Sequence, residues 1–371
     1  MNPKVPIIDA DRLRRQLDSG EPVTVLDIRP AAERAEWSIP GSVHVDAYCD
    51  LWAGRPETLD RATLPRGVPV VTVCAAGNTS KLAAEYLIGR GYDVRSLAGG
   101  MKAWSTAWNL ALVPGPAGSS TVLQVRRTGK GCLSYLIGSG AEAAVLDACL
   151  DPGVYVELAR ERGWTLTRVL ETHVHADHVS RGRALAERTG ASLHVPEQQR
   201  ARYPFIPVRD GDSIPFGATR LVALRTPGHT QESTCYELEG WALLSGDTLF
   251  LNAVGRPDLE AGSVLARDFA HTLHRSLARL VALSPELLVL PGHTSQPVPF
   301  DGVPIAAPLG EVTPRIELLA LGEEAFVDAV LARLSDTPPN YGKILELNES
   351  GTLPAGDLAE LEAGANRCAV G

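Results

Sequence analysis

The first third of the chain alternates short apolar runs with stretches of helical period. Val23–Leu26 and Val70–Val73 are rich in β-branched residues, as expected of strands buried on both faces, whereas Ala10–Leu17 and Thr79–Arg90 space their apolar residues as helices do. That alternation predicts a small α/β domain on a parallel sheet. Further along, strand-like segments such as Ala143–Leu146 and Arg220–Arg225 mix with helical ones at Val179–Arg188 and Ser263–Ala282. Between the two regions, residues 109–120 (NLALVPGPAGSS) carry two Pro, two Gly and two Ser, which predicts a flexible linker. The expected domains are therefore 1–112 and 113–371. No strict repeat is visible, but TPGHT at 226–230 and LPGHT at 290–294 each follow an apolar strand, an echo that suggests two related half-domains.

Composition narrows the classes. With 371 residues, 44% hydrophobic and 21% charged, the chain has enough apolar material for two cores. Its first twelve residues, MNPKVPIIDADR, lack the basic start and apolar core of an export signal, and no uninterrupted apolar run has the length of a membrane span. The net charge is −9, with 13 basic and 13 acidic residues up to residue 112 and 22 against 31 after it. An acidic balance without a Lys/Arg run argues against nucleic acid or an anionic membrane as partner. Six cysteines, Cys49, Cys74, Cys132, Cys149, Cys235 and Cys368, lie far apart with no CxxC pair, which points to a reducing, cytoplasmic setting. Homo-oligomerisation is left open.

Two segments carry chemistry. Cys74 ends the run Val70–Val73 and is followed by Ala75, Ala76, Gly77, Asn78, Thr79 and Ser80, small or turn-prone residues before a helix. Backbone N–H groups of such a loop are expected to converge on the sulfur and stabilise a thiolate or persulfide anion. The other reading of Cys74 is a small buried residue at a strand end. The second segment, THVHADH at 172–178, offers His173, His175, Asp177 and His178 in six residues, with His173 and His175 able to reach one point and Asp177 and His178 a neighbouring one as they enter the next helix. So many costly polar groups on one loop predict a metal. His229, Asp247 and His293 follow further strands at Gly- or Pro-shaped turns. His194, His271 and His274 read as structural, Cys132, Cys149 and Cys235 as core residues, and Trp37, Trp104, Trp108 and Trp241 as packing residues.

The N-terminal part resembles a rhodanese (sulfurtransferase) domain through Asp27-Ile28-Arg29, Ile39-Pro40-Gly41-Ser42, the Cys74 loop, and Leu97-Ala98-Gly99-Gly100 with Trp104. The resemblance implies that Cys74 carries sulfane sulfur as a persulfide. The family loop commonly reads CxxGxRS; here Thr79 stands at the arginine position, and Ser38 replaces a frequent histidine. The order HxHxDH, His, Asp, His resembles the metallo-β-lactamase superfamily, an αββα sandwich with metals at one edge. If two metals were bound, two Zn2+ would be held by His173, His175 and His229 and by Asp177, His178 and His293, with Asp247 bridging. If one Fe2+ were bound, His173, His229 and Asp247 would form a two-His, one-carboxylate face, leaving His175, Asp177, His178 and His293 around it.

Arg256 in Val254-Gly255-Arg256-Pro257-Asp258 resembles persulfide dioxygenases (sulfur dioxygenases) more than glyoxalase II, as does the tail Pro338-Pro339-Asn340-Tyr341 with Ile344 and Leu347-Asn348. That resemblance implies one iron on His173, His229 and Asp247, with Arg256 at the site. The expected activity is oxidation by O2 of a low-molecular-weight persulfide, such as glutathione persulfide, to sulfite and thiol, alongside sulfur exchange at Cys74. The alternatives are a dinuclear zinc thioesterase with a rhodanese appendage and a sulfur-carrier or regulatory protein.

Overall fold

The computed structural model describes residues 5–371 apart from 261, 339, 355, 357 and 365, together with Ser263 in its backbone only. Pro339 of the quoted tail motif and the first four residues therefore lie outside the described residues. Five strands form the first sheet in the order Ile7–Ile8, Val94–Leu97, Val70–Val73, Thr24–Asp27 and Val43–His44, every neighbouring pair parallel. Val70–Val73 is buried on both faces, as its composition predicts, because cores fill both sides of the sheet. Asp9 accepts from Arg12 N at 2.7 Å to start the helix Ala10–Ser19, and Gly20, at φ 72°, ends it. Arg29 forks onto Asp27 and also donates to the Trp37 carbonyl, so the Asp-Ile-Arg motif is a buried clamp across the edge of the domain.

The second domain is a four-layer sandwich. One sheet runs Ile206–Val208, Ser192–Pro196, Thr165–Leu170, Glu142–Leu146, Leu133–Ser139, Thr121–Arg126 and Asn109–Val113. The other runs Ser213–Phe216, Thr219–Arg225, Thr234–Leu238, Ala242–Gly246, Leu288–Pro291 and Ala307–Pro308. Their inner faces meet in a core that includes Tyr135, Ile137, Leu146, Leu170, Leu221, Tyr236 and Leu244. Helices Pro152–Glu161 and Gly182–Thr189 cover the outer face of the first sheet, and Gly262–Val281 and Glu323–Ala332 that of the second. No helix among the described residues is long and apolar enough to cross a membrane.

Three expectations change. Asn109–Val113, read as the start of a linker, is an edge strand paired antiparallel with Thr121–Arg126, because its alternating burial suits a sheet edge even with breakers close behind. The two PGHT turns both follow strands of the same sheet, so their echo does not mark one copy per sheet. The helix after the histidine loop begins at Gly182 rather than Val179: Glu362 Oε1 captures the Val179 N–H at 2.7 Å and Asn348 Oδ1 the Ser180 N–H at 2.8 Å.

The domains meet through buried polar contacts. Trp37 Nε1 donates to the Thr128 carbonyl at 3.0 Å, and Arg127 Nε donates to the Ser105 carbonyl at 2.7 Å. Arg127 Nη2 also pairs with Glu362 Oε2 at 2.7 Å, and Arg181 Nη1 with Glu362 Oε1 at 2.6 Å, where Glu362 has no exposed side chain. Burial opposes ionisation of Glu362, but the Arg127 and Arg181 charges hold its carboxyl down to about 2. A depressed carboxyl contributes stability above its ordinary value of 4.5, and that contribution is lost as pH falls toward about 2. Glu362→Gln should cost about 3–5 kcal/mol, because it leaves two buried guanidiniums facing a neutral group. Denaturant unfolding at a series of pH values should show the wild type approaching the variant as acid is added; parallel curves would contradict this.

Candidate functional site

Each candidate ligand stands at the end of a strand. Leu170 closes one strand before His173, Arg225 another before His229, Gly246 a third before Asp247, and Pro291 a fourth before His293. The two sheets deliver these ends to one edge of the sandwich. Gly292 lets the last two meet, since a Cβ there would stand 2.6 Å from Asp247 Oδ1.

His173, His229 and Asp247 come together as one group with ligand atoms within 4.8 Å of one another. Asp247 Oδ2 lies 3.9 Å from His173 Nε2 and 3.7 Å from His229 Nε2. Hydrogen bonds behind the rings set both tautomers. His229 Nδ1 donates to the Arg256 carbonyl at 2.8 Å. His173 Nδ1 donates to Thr172 Oγ1 at 2.9 Å, which itself donates to Asp147 Oδ2 at 2.9 Å. Both Nε2 lone pairs therefore face Asp247. His173 Nε2 and Asp247 Oδ2 are buried without a hydrogen-bond partner, an arrangement that a metal cation fits and that a plain core would not retain. Burial, with His175 adding to it, pushes His173 well below its usual range, so it stands as a neutral donor.

The remaining candidates form a second cluster. Asp177 Oδ1 lies 3.1 Å from His178 Nδ1, and Asp177 Oδ2 lies 2.8 Å from His293 Nε2. His293 Nδ1 donates to Asp247 Oδ1 at 2.5 Å. Burial opposes charge on His293, yet Asp177 and Asp247 push it up to about 10; burial brings His178 down to about 4. His175 turns away, with Nε2 held at 3.2 Å by Asp147 and 3.3 Å by Glu171. Asp147 has φ 54°, a left-handed backbone that costs roughly 1–3 kcal/mol and is offset by three contacts from its carboxylate to Thr172 and His175. A cavity of 240 Å3 reaches His293 from the surface between Asn252, Ser295, Arg315 and Asn366.

Several partners were not legible. Cys132, read as core, has its Sγ 3.5 Å from Asp177 Oδ2, and Cys368, for which no role was expected, groups with Asp247 and His293. Asn366 donates to Asp177 Oδ2 at 2.9 Å, and Asn348 donates to the carbonyls of His175 and His178. Asn348, Asn366 and Cys368 lie far from the histidine loop in sequence and come in with the strand pairing of 254–255 with 369–370 and the docking of Tyr341–Ser350, while Cys132 is placed by its bridge to His293. Arg256, expected at the site, meets it through its backbone. Its five N–H donors go to Asp258 and to the carbonyls of Ser335, Asp336 and Arg367, leaving none for substrate; its carbonyl orients His229 instead.

In the first domain, the Gly77 N–H donates to Cys74 Sγ at 3.1 Å, and Ser80 Oγ lies 3.3 Å from that sulfur. Among the described residues this is the one backbone donor seen at the thiol, fewer than the convergence expected. Gly77, at φ 78°, must be glycine, because a Cβ would meet Gly99 N at 2.7 Å. That close approach explains the Leu97-Ala98-Gly99-Gly100 motif. Ala75, Ala76 and Asn78 are exposed, while Thr79 is buried and accepts from Trp52 Nε1 at 3.1 Å.

Two family models match: the rhodanese-like domain over residues 9–107 and the metallo-beta-lactamase superfamily over residues 127–293. Hydroxyacylglutathione hydrolase of Rhizobium meliloti is 37% identical over 158 residues, 42% of this chain and 58% of that protein. The enzyme of the same name from Brucella anthropi is 37% identical over 155 residues, 41% and 53% of the two chains. The match thus spans little more than half the length of these relatives. Among solved structures, ETHE1 from Myxococcus xanthus superposes with a TM-score of 0.55 at 29% identity, over 62% of this chain and 98% of that one. A metallo-beta-lactamase from Staphylococcus aureus gives a TM-score of 0.58 at 26% identity, over 64% and 74%.

If Thr172 fixes the ring of His173, Thr172→Val should weaken metal binding about 10–100-fold while the chain stays folded. Competition with a chelator measures the loss; unchanged affinity would show that the Asp147–Thr172–His173 chain is incidental.

Proposed function

Taking the chain as a rhodanese domain followed by a metallo-beta-lactamase domain, we propose that the second domain oxidises a low-molecular-weight persulfide with O2, and that Cys74 exchanges sulfane sulfur. The reaction balances as persulfide, O2 and water giving thiol and sulfite. The observation that carries this reading is the separate face of His173, His229 and Asp247, whose carboxylate has one free oxygen while His293 holds the other at 2.5 Å. An oxygen already bound by a neighbouring imidazole is poorly placed to bridge two ions. Two imidazoles and one carboxylate, with no thiolate in the set, suit non-haem iron, which would supply redox chemistry toward O2 at the positions left open. The likeness to ETHE1 over almost that whole chain fits this reading.

The residues of the chain have distinct tasks here. Thr172 and the Arg256 carbonyl hold the two imidazoles, Asp247 completes the face, and the cavity beside His293 is where a small thiol compound would approach. At Cys74 a sulfur donor would pass its outer sulfur to the thiolate and leave as thiol or sulfite. Thr79 brings no positive charge to that loop, which favours a persulfide over thiosulfate as donor.

A second reading, a zinc thioesterase, draws on the 37% identity to hydroxyacylglutathione hydrolases and on the full set of His175, Asp177, His178 and His293 around the first face. Anaerobic loading should give about one catalytically required iron per chain. Oxygen uptake on glutathione persulfide should follow, and His229→Ala should abolish both. Thioester hydrolysis by a zinc-loaded protein that consumes no oxygen would replace the proposal with the second reading. Cys74→Ser should stop oxygen uptake driven by a sulfur donor plus thiol yet spare uptake on preformed persulfide. Asp247→Ala should do the converse, leaving sulfur transfer to Cys74 intact. Equal loss of both activities in a folded Cys74→Ser protein would refute independent sites.

A further inference from the structure

Two buried thiols sit side by side next to the histidine loop, and neither belongs to the face of His173, His229 and Asp247. Cys132 precedes the strand Leu133–Ser139, and Cys149 follows the strand Glu142–Leu146 that pairs with it antiparallel. The two side chains share one core cluster, each 1% exposed. Tyr155 ties them together, because its Oη accepts from the Cys149 N–H at 3.0 Å and bonds Ser134 Oγ, two residues on from Cys132, at 2.7 Å. Arg127 spans both: its N–H donates to the Cys132 carbonyl at 2.8 Å and its Nη1 to the Cys149 carbonyl at 3.5 Å. The Cys132 thiol also hydrogen-bonds the Cys149 sulfur, and this bond, with the Arg127 charge, holds the Cys149 thiol below its ordinary range although burial opposes ionisation.

The pair is approached from the seam between the domains. There Cys149 lines a cavity of 470 Å3 with Arg14, Trp108, Leu150 and Arg181. Cys132 Sγ faces Asp177 Oδ2 at 3.5 Å, so the two sulfurs lead from that cavity toward the carboxylate cluster.

We propose that Cys132 and Cys149 form a modification site, a dithiol that a low-molecular-weight persulfide reaching it from the interdomain cavity oxidises to a disulfide. The Cys149 thiolate attacks the outer sulfur of the persulfide; the bond between the two persulfide sulfurs breaks, the thiol leaves, and Cys149 carries the sulfane sulfur. The Cys132 thiolate then attacks Cys149 Sγ, and the outer sulfur leaves as hydrogen sulfide. Two thiols and one persulfide thus give one disulfide, one thiol and one hydrogen sulfide. The cysteines lose two electrons, the sulfane sulfur gains them, and both cysteine protons leave with the products. Closing the bridge brings two sulfurs already in contact to about 2 Å. It also takes Cys132 off Asp177, at the seam that Arg127 and Glu362 hold, so the seam registers an excess of persulfide. The assignment stands whichever reaction the histidine face runs.

The full chain, reduced and kept free of oxygen, is treated with glutathione persulfide, alkylated, digested without reductant and analysed by mass spectrometry. The expected product is a linked pair of peptides containing Cys132 and Cys149, with about one hydrogen sulfide released per bridge. Cys132→Ser and Cys132→Ala should trap the first step and leave an added sulfur on Cys149, whereas Cys149→Ser should leave Cys132 an unmodified thiol. A reductant should restore both thiols, and unchanged circular dichroism through the cycle reports that the chain stays folded. Recovery of both thiols free while Cys74 takes up sulfur would overturn the proposal, as would a bridge from Cys132 to Cys368. A bridge formed with hydrogen peroxide but not with the persulfide would overturn the assigned oxidant, and one that forms only in denaturant would overturn the route through the cavity.

Discussion

The carboxylate of Glu362 holds together parts of the chain that hydrophobic packing alone would leave apart. One oxygen takes Arg127, whose Nε reaches Ser105 in the first domain, and the other takes Arg181 and the Val179 N–H behind the histidine loop. Lys130 closes the group by donating to the Glu362 carbonyl. With two guanidiniums and an ammonium gathered in the interior, removing this one anion would leave buried charges without their partner. The histidine loop thus depends on a residue almost two hundred positions later, and so does the seating of the two domains.

A loop with so many buried polar groups needs every one of them committed, and the structure commits them in layers. Thr172, Asp147 and the Arg256 carbonyl fix ring orientation; Asn348 ties down the carbonyls of His175 and His178; Glu232 accepts from the Val174 N–H. What is left over, the free nitrogens and carboxylate oxygens facing one another, is the part open to metal chemistry. The left-handed backbone at Asp147 belongs to this arrangement, because its carboxylate has to reach two residues of the loop at once.

How much of this was legible follows from how local each signal is. Val70–Val73 appears in the structure with the bounds its composition implies, and His173, His229 and Asp247 group together as the family resemblance implies, whereas His175, which spacing alone paired with His173, has its Nε2 on Asp147 and Glu171. The strand Asn109–Val113 was hidden by the Pro and Gly that follow it, since breakers in a window argue against regular structure even when alternation is present. Cys132 and Cys368 gave no signal at all. A cysteine in an apolar segment has the same local pattern whether its sulfur faces a core or a carboxylate, and only the pairings of 132 with 293 and of 369–370 with 254–255 decide between them. At Arg256 the contact with His229 is made by the backbone carbonyl, a group invisible to any residue-type argument.

The contact between domains bears on how a change in one is felt in the other. Trp37 and Ser105 seat on residues 127–128, and the same loop runs directly into Cys132. A Cβ on Gly131 would stand 2.9 Å from the Trp37 ring, so the loop has little room to move without displacing that side chain. Trp37 is in turn held by Arg29, which clamps its carbonyl from the Asp-Ile-Arg motif. A continuous path of buried contacts therefore leads from the edge of the first sheet to the cluster around Asp177, whereas Cys74 lies on a different loop, packed against Gly99 and Gly100. The Cys74 loop is tied to the helix that leads into Ser105, since Met101 N donates to the Cys74 carbonyl at 2.9 Å and Lys102 N to the Ala75 carbonyl at 3.1 Å. The edge of the first sheet is thus a support on which the second domain's own loop is built, and the Cys74 loop reaches that support through the helix Gly100–Trp104 and Ser105.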